Sequence, residues 1–202
     1  MDRYKSFEDL CKHAREGHDF RICAVTRPGH IAIVAPHGGG IEPGTSEIAK
    51  AIAGTTFSFY AFEGIRRNKN VDLHITSTRF REERCGALLA AARIVVTIHG
   101  EDSGDETVFI GGLAKEGVGF LRESLKGAGF SVEKHTNPEL QGESPGNLCN
   151  RGSRRKGVQL EVSKGLRKTF FGSLTRQGRR TRTERFDVFV KAVRAGVSRL
   201  DP

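Results

Sequence analysis

Hydrophobic positions along the chain recur with two periods, and the order in which the periods alternate predicts the architecture. Phe7, Leu10, Cys11 and Ala14 share one face of a helix expected over 7–16, with Ser6 as N-cap. Residues 19–27 alternate and predict a strand ahead of the Arg27-Pro28-Gly29 turn. Residues 30–36 are almost continuously apolar, the pattern of a strand covered on both faces. A glycine-rich loop and a helix over 46–53 follow.

Strands are then expected over 55–62, 71–76, 94–98, 108–112 and 130–134, with helices over 79–92 and 116–126. The stretch 71–76 ends in a Ser77-Thr78 turn. Residues 137–155, rich in Pro, Gly, Asn and Ser, read as a loop long enough to suspect a function. Residues 157–163 alternate Val158, Leu160 and Val162 with Gln159, Glu161 and Ser163, so one face is buried and the other meets something polar. A helix over 184–200 turns Phe186, Phe189, Val190, Val193, Val197 and Leu200 inward. Strands alternating with helices predict a single α/β domain over 1–202, a three-layer sandwich around a mixed, largely parallel sheet.

Two of the apolar runs end alike. Ile33-Val34-Ala35-Pro36-His37-Gly38 and Val95-Val96-Thr97-Ile98-His99-Gly100 each deliver a histidine followed by glycine. In neighbouring parallel strands both imidazoles would emerge at one sheet edge, where α/β proteins place chemistry. Glu42, five positions after His37, completes a set of two histidines and a carboxylate, the donor set of a one-ion catalytic zinc site with a position left for water. Taken alone, a buried histidine more often hydrogen-bonds within a core. The matched strand endings and Glu42 together favour the metal.

Glu161, on the polar face of the half-buried strand, is the candidate general base; a solvent-facing Glu161 is the alternative. Arg151, Arg154, Arg155 and Arg167 flank that strand as cations for a substrate carboxylate or an oxyanion, with no division of labour readable among them. His74 and Ser77 are further substrate-contact candidates, His74 also a second-choice ligand.

Charge narrows the partners. Residues 150–202 hold 15 Lys and Arg against 4 Asp and Glu, so the chain's net +9 belongs to its last quarter. Such a patch suits an anionic peptide-like substrate or nucleic acid, or is simply a solvated surface. The run Arg176 to Arg185 supports the alternative of a basic nucleic-acid-binding protein without hydrolytic activity, although no aromatic residues interleave with its arginines. Gly38-Gly39-Gly40 before a helix fits neither phosphate-loop pattern. Four cysteines without Cys-x-x-Cys spacing, no signal-peptide core and no apolar run of membrane length lead us to expect a cytoplasmic protein.

Four blocks together resemble the poly-γ-glutamate hydrolase family of phages and bacteria, some of whose members are labelled phage-related replication proteins. They are residues 35–49 (Ala-Pro-His-Gly-Gly-Gly-Ile-Glu-Pro-Gly-Thr-Ser-Glu-Ile-Ala), 72–77, 97–100 and 157–162, in a match running from about residue 20 to 200. The resemblance implies a zinc carboxypeptidase-like fold, metal on His37, Glu42 and His99, Glu161 as general base, and Asn150-Arg151 as a substrate-contacting pair. The spacing of five between His37 and Glu42 differs from the three of carboxypeptidases proper. No tyrosine lies between His99 and Glu161. Arg79-Phe80-Arg81-Glu82-Glu83 stands where relatives often carry an acidic residue and proline, which bears on substrate identity.

Overall fold

The computed structural model describes residues 2–200. Its strands are β1 (Phe20–Val25), β2 (Ile31–Gly39), β3 (Ser58–Gly64), β4 (Ile94–Glu101), β5 (Thr107–Gly111), β6 (Ser131–Glu133) and β7 (Val158–Ser163). The helices are α1 (Phe7–Cys11), α2 (Thr45–Ala53), α3 (Glu83–Ala91), α4 (Lys115–Gly127), α5 (Lys164–Thr169) and α6 (Glu184–Ser198). Among the described residues the strands form one sheet in the order β1-β3-β2-β4-β7-β5-β6. β1–β3 and β5–β7 are antiparallel and the other four pairings parallel, so the sheet is mixed and largely parallel, as expected.

Each face of the sheet is covered, which is why β2 and β7 have no exposed position. Ile33, Val96, Leu160 and their same-face neighbours pack against α2, α4 and α6, with Phe170 edge to face with Phe186 and tilted against Phe189. Val34, Tyr60, Phe62 and Val95 pack on the other side against Leu10, Phe80, Leu88, Leu89 and Leu148. These are the three layers of an α/β sandwich.

Two expectations are corrected and one unexpected helix is found. α1 stops at Cys11 rather than 16, because the Asp19 carboxylate accepts the Arg15 N–H and draws 15–19 into a turn; Cys11 is exposed instead of facing inward. Residues 71–76 are not a strand. They form a 3-10 turn (Asn70–Leu73) and an extended segment whose main chain bonds to side chains: Ile75 C=O accepts from His37, and Thr76 N–H donates to Asp2. Leu73 and Ile75 are buried in the second layer while Val71 stays exposed. Finally, α5 follows β7 directly, its start capped by Ser163 Oγ, which accepts the Leu166 N–H.

Candidate metal centre

β2 and β4 are hydrogen-bonded parallel neighbours, paired from Ile31 with Ile94 to Val34 with Thr97. Adjacency alone does not bring their histidines together. Strict alternation along β2 would put His37 on the same face as Ile33 and Ala35, under α2. β2 instead carries one extra residue against β3: Ala35 pairs Ala61, and the next pair is Gly38 with Glu63. This bulge at Pro36-His37 turns Gly38 toward Ser46 of α2 and His37 to the opposite face, where Thr97 and His99 of the unbulged β4 already point. β7 lies on the other side of β4, with Glu161 in register with His99 and on the same face.

On that face His37 Nδ1 is 2.9 Å from Glu42 Oε1 and 3.2 Å from His99 Nδ1. Within the described residues this trio is the grouping able to hold a metal, with one donor atom from each residue and all of them within 4.8 Å of one another. The surrounding bonds fix which atoms converge. The carbonyl of Ile75, 2.9 Å from His37 Nε2, can only accept, so Nε2 carries a proton. Ser77 Oγ lies 3.4 Å from His99 Nε2. The Gly100 N–H donates to Glu42 Oε2 at 2.8 Å, leaving Oε1 toward the imidazoles. Three electron-pair donors thus face one point, and a positive centre is needed there.

The protonation tendencies follow from that crowding. Glu42 is lowered to about 2: burial pushes the other way, and the His37, His99 and His74 rings outweigh it. Burial also opposes the charged form of His37, yet Glu42 and the Ile75 carbonyl raise it. His99 is lowered to about 3, chiefly by burial, and so offers a neutral imidazole. A proton on His37 Nδ1 answers one donor of the three; a divalent cation answers all of them, with the nitrogen and oxygen donors that zinc takes. The residues present therefore fit the metal.

The sequence profile of the poly-gamma-glutamate hydrolase family matches residues 4–192. This chain belongs to that family. It is an enzyme, a hydrolase. UPF0714 protein YndL of Bacillus subtilis (strain 168) is 34% identical over 194 residues, 95% of this chain and 76% of YndL. The structure of a bacteriophage poly-gamma-glutamate hydrolase matches with a TM-score of 0.95 at 28% identity, covering 98% of each chain. YndL in a zinc-free apo form matches with a TM-score of 0.91 at 33% identity, again over 98% of each chain.

Around the candidate trio of this family member, other polar groups fall into place or away from it. The His74 ring lies tilted against that of His37, centroids 3.9 Å apart, and its Nε2 is 3.8 Å from Glu42 Oε1. Its Nδ1–H donates to Asp2 at 2.7 Å, a partner with no signal in the sequence. Glu161 is buried, and burial, then the charges of Glu42 and Glu101, push its carboxyl well up, with Arg167 opposing. Arg167 is buried against Gly100, where a Cβ would lie 2.7 Å from the guanidinium carbon. It donates to the carbonyls of Val162, Pro43 and Glu101, bracing β7, the Glu42 loop and the end of β4 together.

The expected Asn-Arg pair has its polar groups engaged by the fold. Asn150 donates to the Gly142 and Ser144 carbonyls and accepts from the Gly157 N–H. Arg151 donates to the carbonyls of Gly146, Phe80, Ser77 and Thr78, so it holds the segment that presents Ser77 to His99. Arg154 does not reach the site: its N–H bonds Arg93 C=O at the start of β4, the sheet edge opposite His99. Arg155 lines a separate cavity with Phe80, Glu82 and Cys85. No helix among the described residues is long and apolar enough to cross a membrane.

Proposed function

We propose that this hydrolase cleaves amide bonds of an anionic γ-glutamyl polymer or oligomer, using one zinc ion held by His37, Glu42 and His99. The observation that carries this reading is the convergence of their three donor atoms, with Glu161 on the next strand in register with His99. Bound there, zinc would supply Lewis acidity toward a scissile carbonyl and lower the pKa of a water.

The chain's own residues do the rest. Glu161, a stronger base than an exposed carboxylate because of its burial, accepts the proton of the attacking water and returns it to the leaving amine. Arg167 and Gly100 N–H keep Glu42 and the β4 terminus in place. His74 and Ser77, beside the ligands, contact the substrate, with Asp2 fixing the His74 tautomer. Asn150 and Arg151 act by holding the loops rather than by contacting substrate.

The basic segment gives the nucleic-acid alternative little support. Arg176 donates to the Ile65 carbonyl, Arg179 pairs with Glu47, Arg182 lies over Phe186 and Arg185 pairs with Glu106. Metal analysis of wild type beside His99→Ala, with hydrolysis of γ-linked and α-linked glutamate oligomers with and without chelator, tests the proposal. Tightly bound zinc in wild type only, and chelator-sensitive cleavage of the γ-linked oligomer, are expected. Full zinc in the variant, or cleavage that persists under chelation, would overturn it. DNA retention without hydrolysis would instead favour the alternative.

A further inference from the structure

The Gly157–Val162 block supplies Glu161 to the proposed reaction and leaves its glutamine without a role. Gln159 is 2% exposed, and a buried amide is costly unless its donors and acceptor are matched. Here they are matched in one orientation, which main-chain groups dictate. The Cys149 N–H lies 3.1 Å from Asn147 Oδ1 and can only donate, so that atom is the oxygen and Asn147 Nδ2 is turned away from it. Nδ2 donates across 3.0 Å to Gln159, whose facing atom must then be Oε1. Gln159 Nε2 is thereby directed to the Leu140 carbonyl at 3.0 Å, an obligate acceptor, and to Glu161 Oε1 at 3.0 Å.

Nothing in this relay is free to turn. Asn147 is buried, and the loop at Gly142 packs onto the Gln159 stem, where a Cβ would fall 2.8 Å from Gln159 Cβ. Oε1 of Glu161 is therefore held by a fixed N–H, and among the described residues no hydrogen bond reaches Oε2.

We propose that Asn147 and Gln159 are positioning residues for the reaction: they anchor Glu161 through Oε1 and so assign Oε2 as the oxygen that exchanges protons with water and leaving group. The long 137–155 loop then has a function, since it carries the asparagine that sets the direction of the relay. The inference rests on Glu161 being the general base, and its test separates the two.

The zinc-loaded enzyme is compared as wild type, Gln159→Leu, Glu161→Gln and the double variant, with zinc content, kcat and KM measured for each. Gln159→Leu is expected to lower kcat about ten- to hundred-fold, with KM and zinc content unchanged, as for a misplaced reacting group. In the Glu161→Gln background the same change should lower kcat by less than about twofold, because the residue it acts through is already gone. An equal loss in both backgrounds, or none in the single variant, overturns the relay. Wild-type kcat in Glu161→Gln overturns the assignment of the base instead. Should Gln159→Leu fold poorly, the side-chain amide resonance of Gln159 in 15N-labelled protein is compared between wild type and Glu161→Ala. An upfield shift of one amide proton is expected, and an unmoved resonance overturns the contact.

Discussion

His37 Nδ1 and His99 Nδ1 face each other across 3.2 Å, although the residues are 62 positions apart. Parallel pairing of β2 and β4 accounts for their common sheet edge, and the single extra residue at Pro36-His37 accounts for their common face. Two imidazoles and a carboxylate held this closely favour a positive charge between them: one proton can join His37 to Glu42, and a divalent cation can join all three. Binding such a cation therefore stabilises the folded chain.

Chelation should lower the thermal midpoint, and added zinc should restore it. With free zinc at about a hundred times its dissociation constant, the stabilisation is about 2.7 kcal/mol, or roughly 5–10 °C for a chain of this size. In His37→Ala the midpoint should no longer respond to zinc. Differential scanning fluorimetry across a zinc titration checks both outcomes.

Ser77 Oγ is the hydroxyl beside His99 Nε2, held there because Arg151 donates to the Ser77 carbonyl. Ser77→Ala removes the hydroxyl and leaves the main chain bonded. Zinc affinity is expected to fall about tenfold to a hundredfold, the usual cost of losing such a partner. A competition titration against a chromophoric chelator measures it, and an unchanged affinity would show that Ser77 does not orient the ring.

Asp2 accepts from the Thr76 N–H, Thr76 Oγ1, His74 and Arg79. Burial raises its pKa, but these donors prevail and lower it from 3.8 to about 2. The folded protein then binds fewer protons at this site than the unfolded chain between those values. The clamp's contribution is complete above about pH 4 and is lost as pH falls toward 2. Asp2→Asn should destabilise by about 2 kcal/mol near neutrality, and the gap from wild type should narrow below pH 4. Urea unfolding at several pH values between 3 and 7 reads the gap directly.

Gly39 closes β2 at φ 65°, and a Cβ there would run into the Gly64 carbonyl of β3. Gly39→Ala is expected to cost about 3 kcal/mol or more, from backbone strain plus the clash. Gly86, exposed within α3, meets nothing within 4 Å, so Gly86→Ala should stabilise by about 0.5–1 kcal/mol. Chemical denaturation of the pair checks both signs.

Much of the architecture was written in local pattern. The runs that became β2 and β4 are apolar throughout because both faces of those strands are buried, and each ends in His-Gly at the edge where chemistry is expected. Ser6 and the inward face of α6 were equally legible, since capping and helical spacing act within a few residues. The trio His37, Glu42 and His99 followed from donor chemistry and converges in space.

Other features depended on partners far along the chain. Burial patterns record whether a residue is covered, not which layer covers it, so the bulge that turns His37 over left no trace in periodicity. Val71, Leu73 and Ile75 alternate like a strand, yet their main chain is satisfied by His37 and Asp2. The arginines read as substrate cations are basic in any sequence; only the folded chain determines that Arg151 and Arg167 donate to carbonyls brought to them by three different segments. The direction of the Gln159 amide likewise depends on a Cys149 N–H ten positions away in sequence, which acts through Asn147. Local sequence determined which elements form and which donors they carry. Register, an extra residue in one strand and the direction of hydrogen bonds are properties of pairs, and only tertiary structure decides pairs.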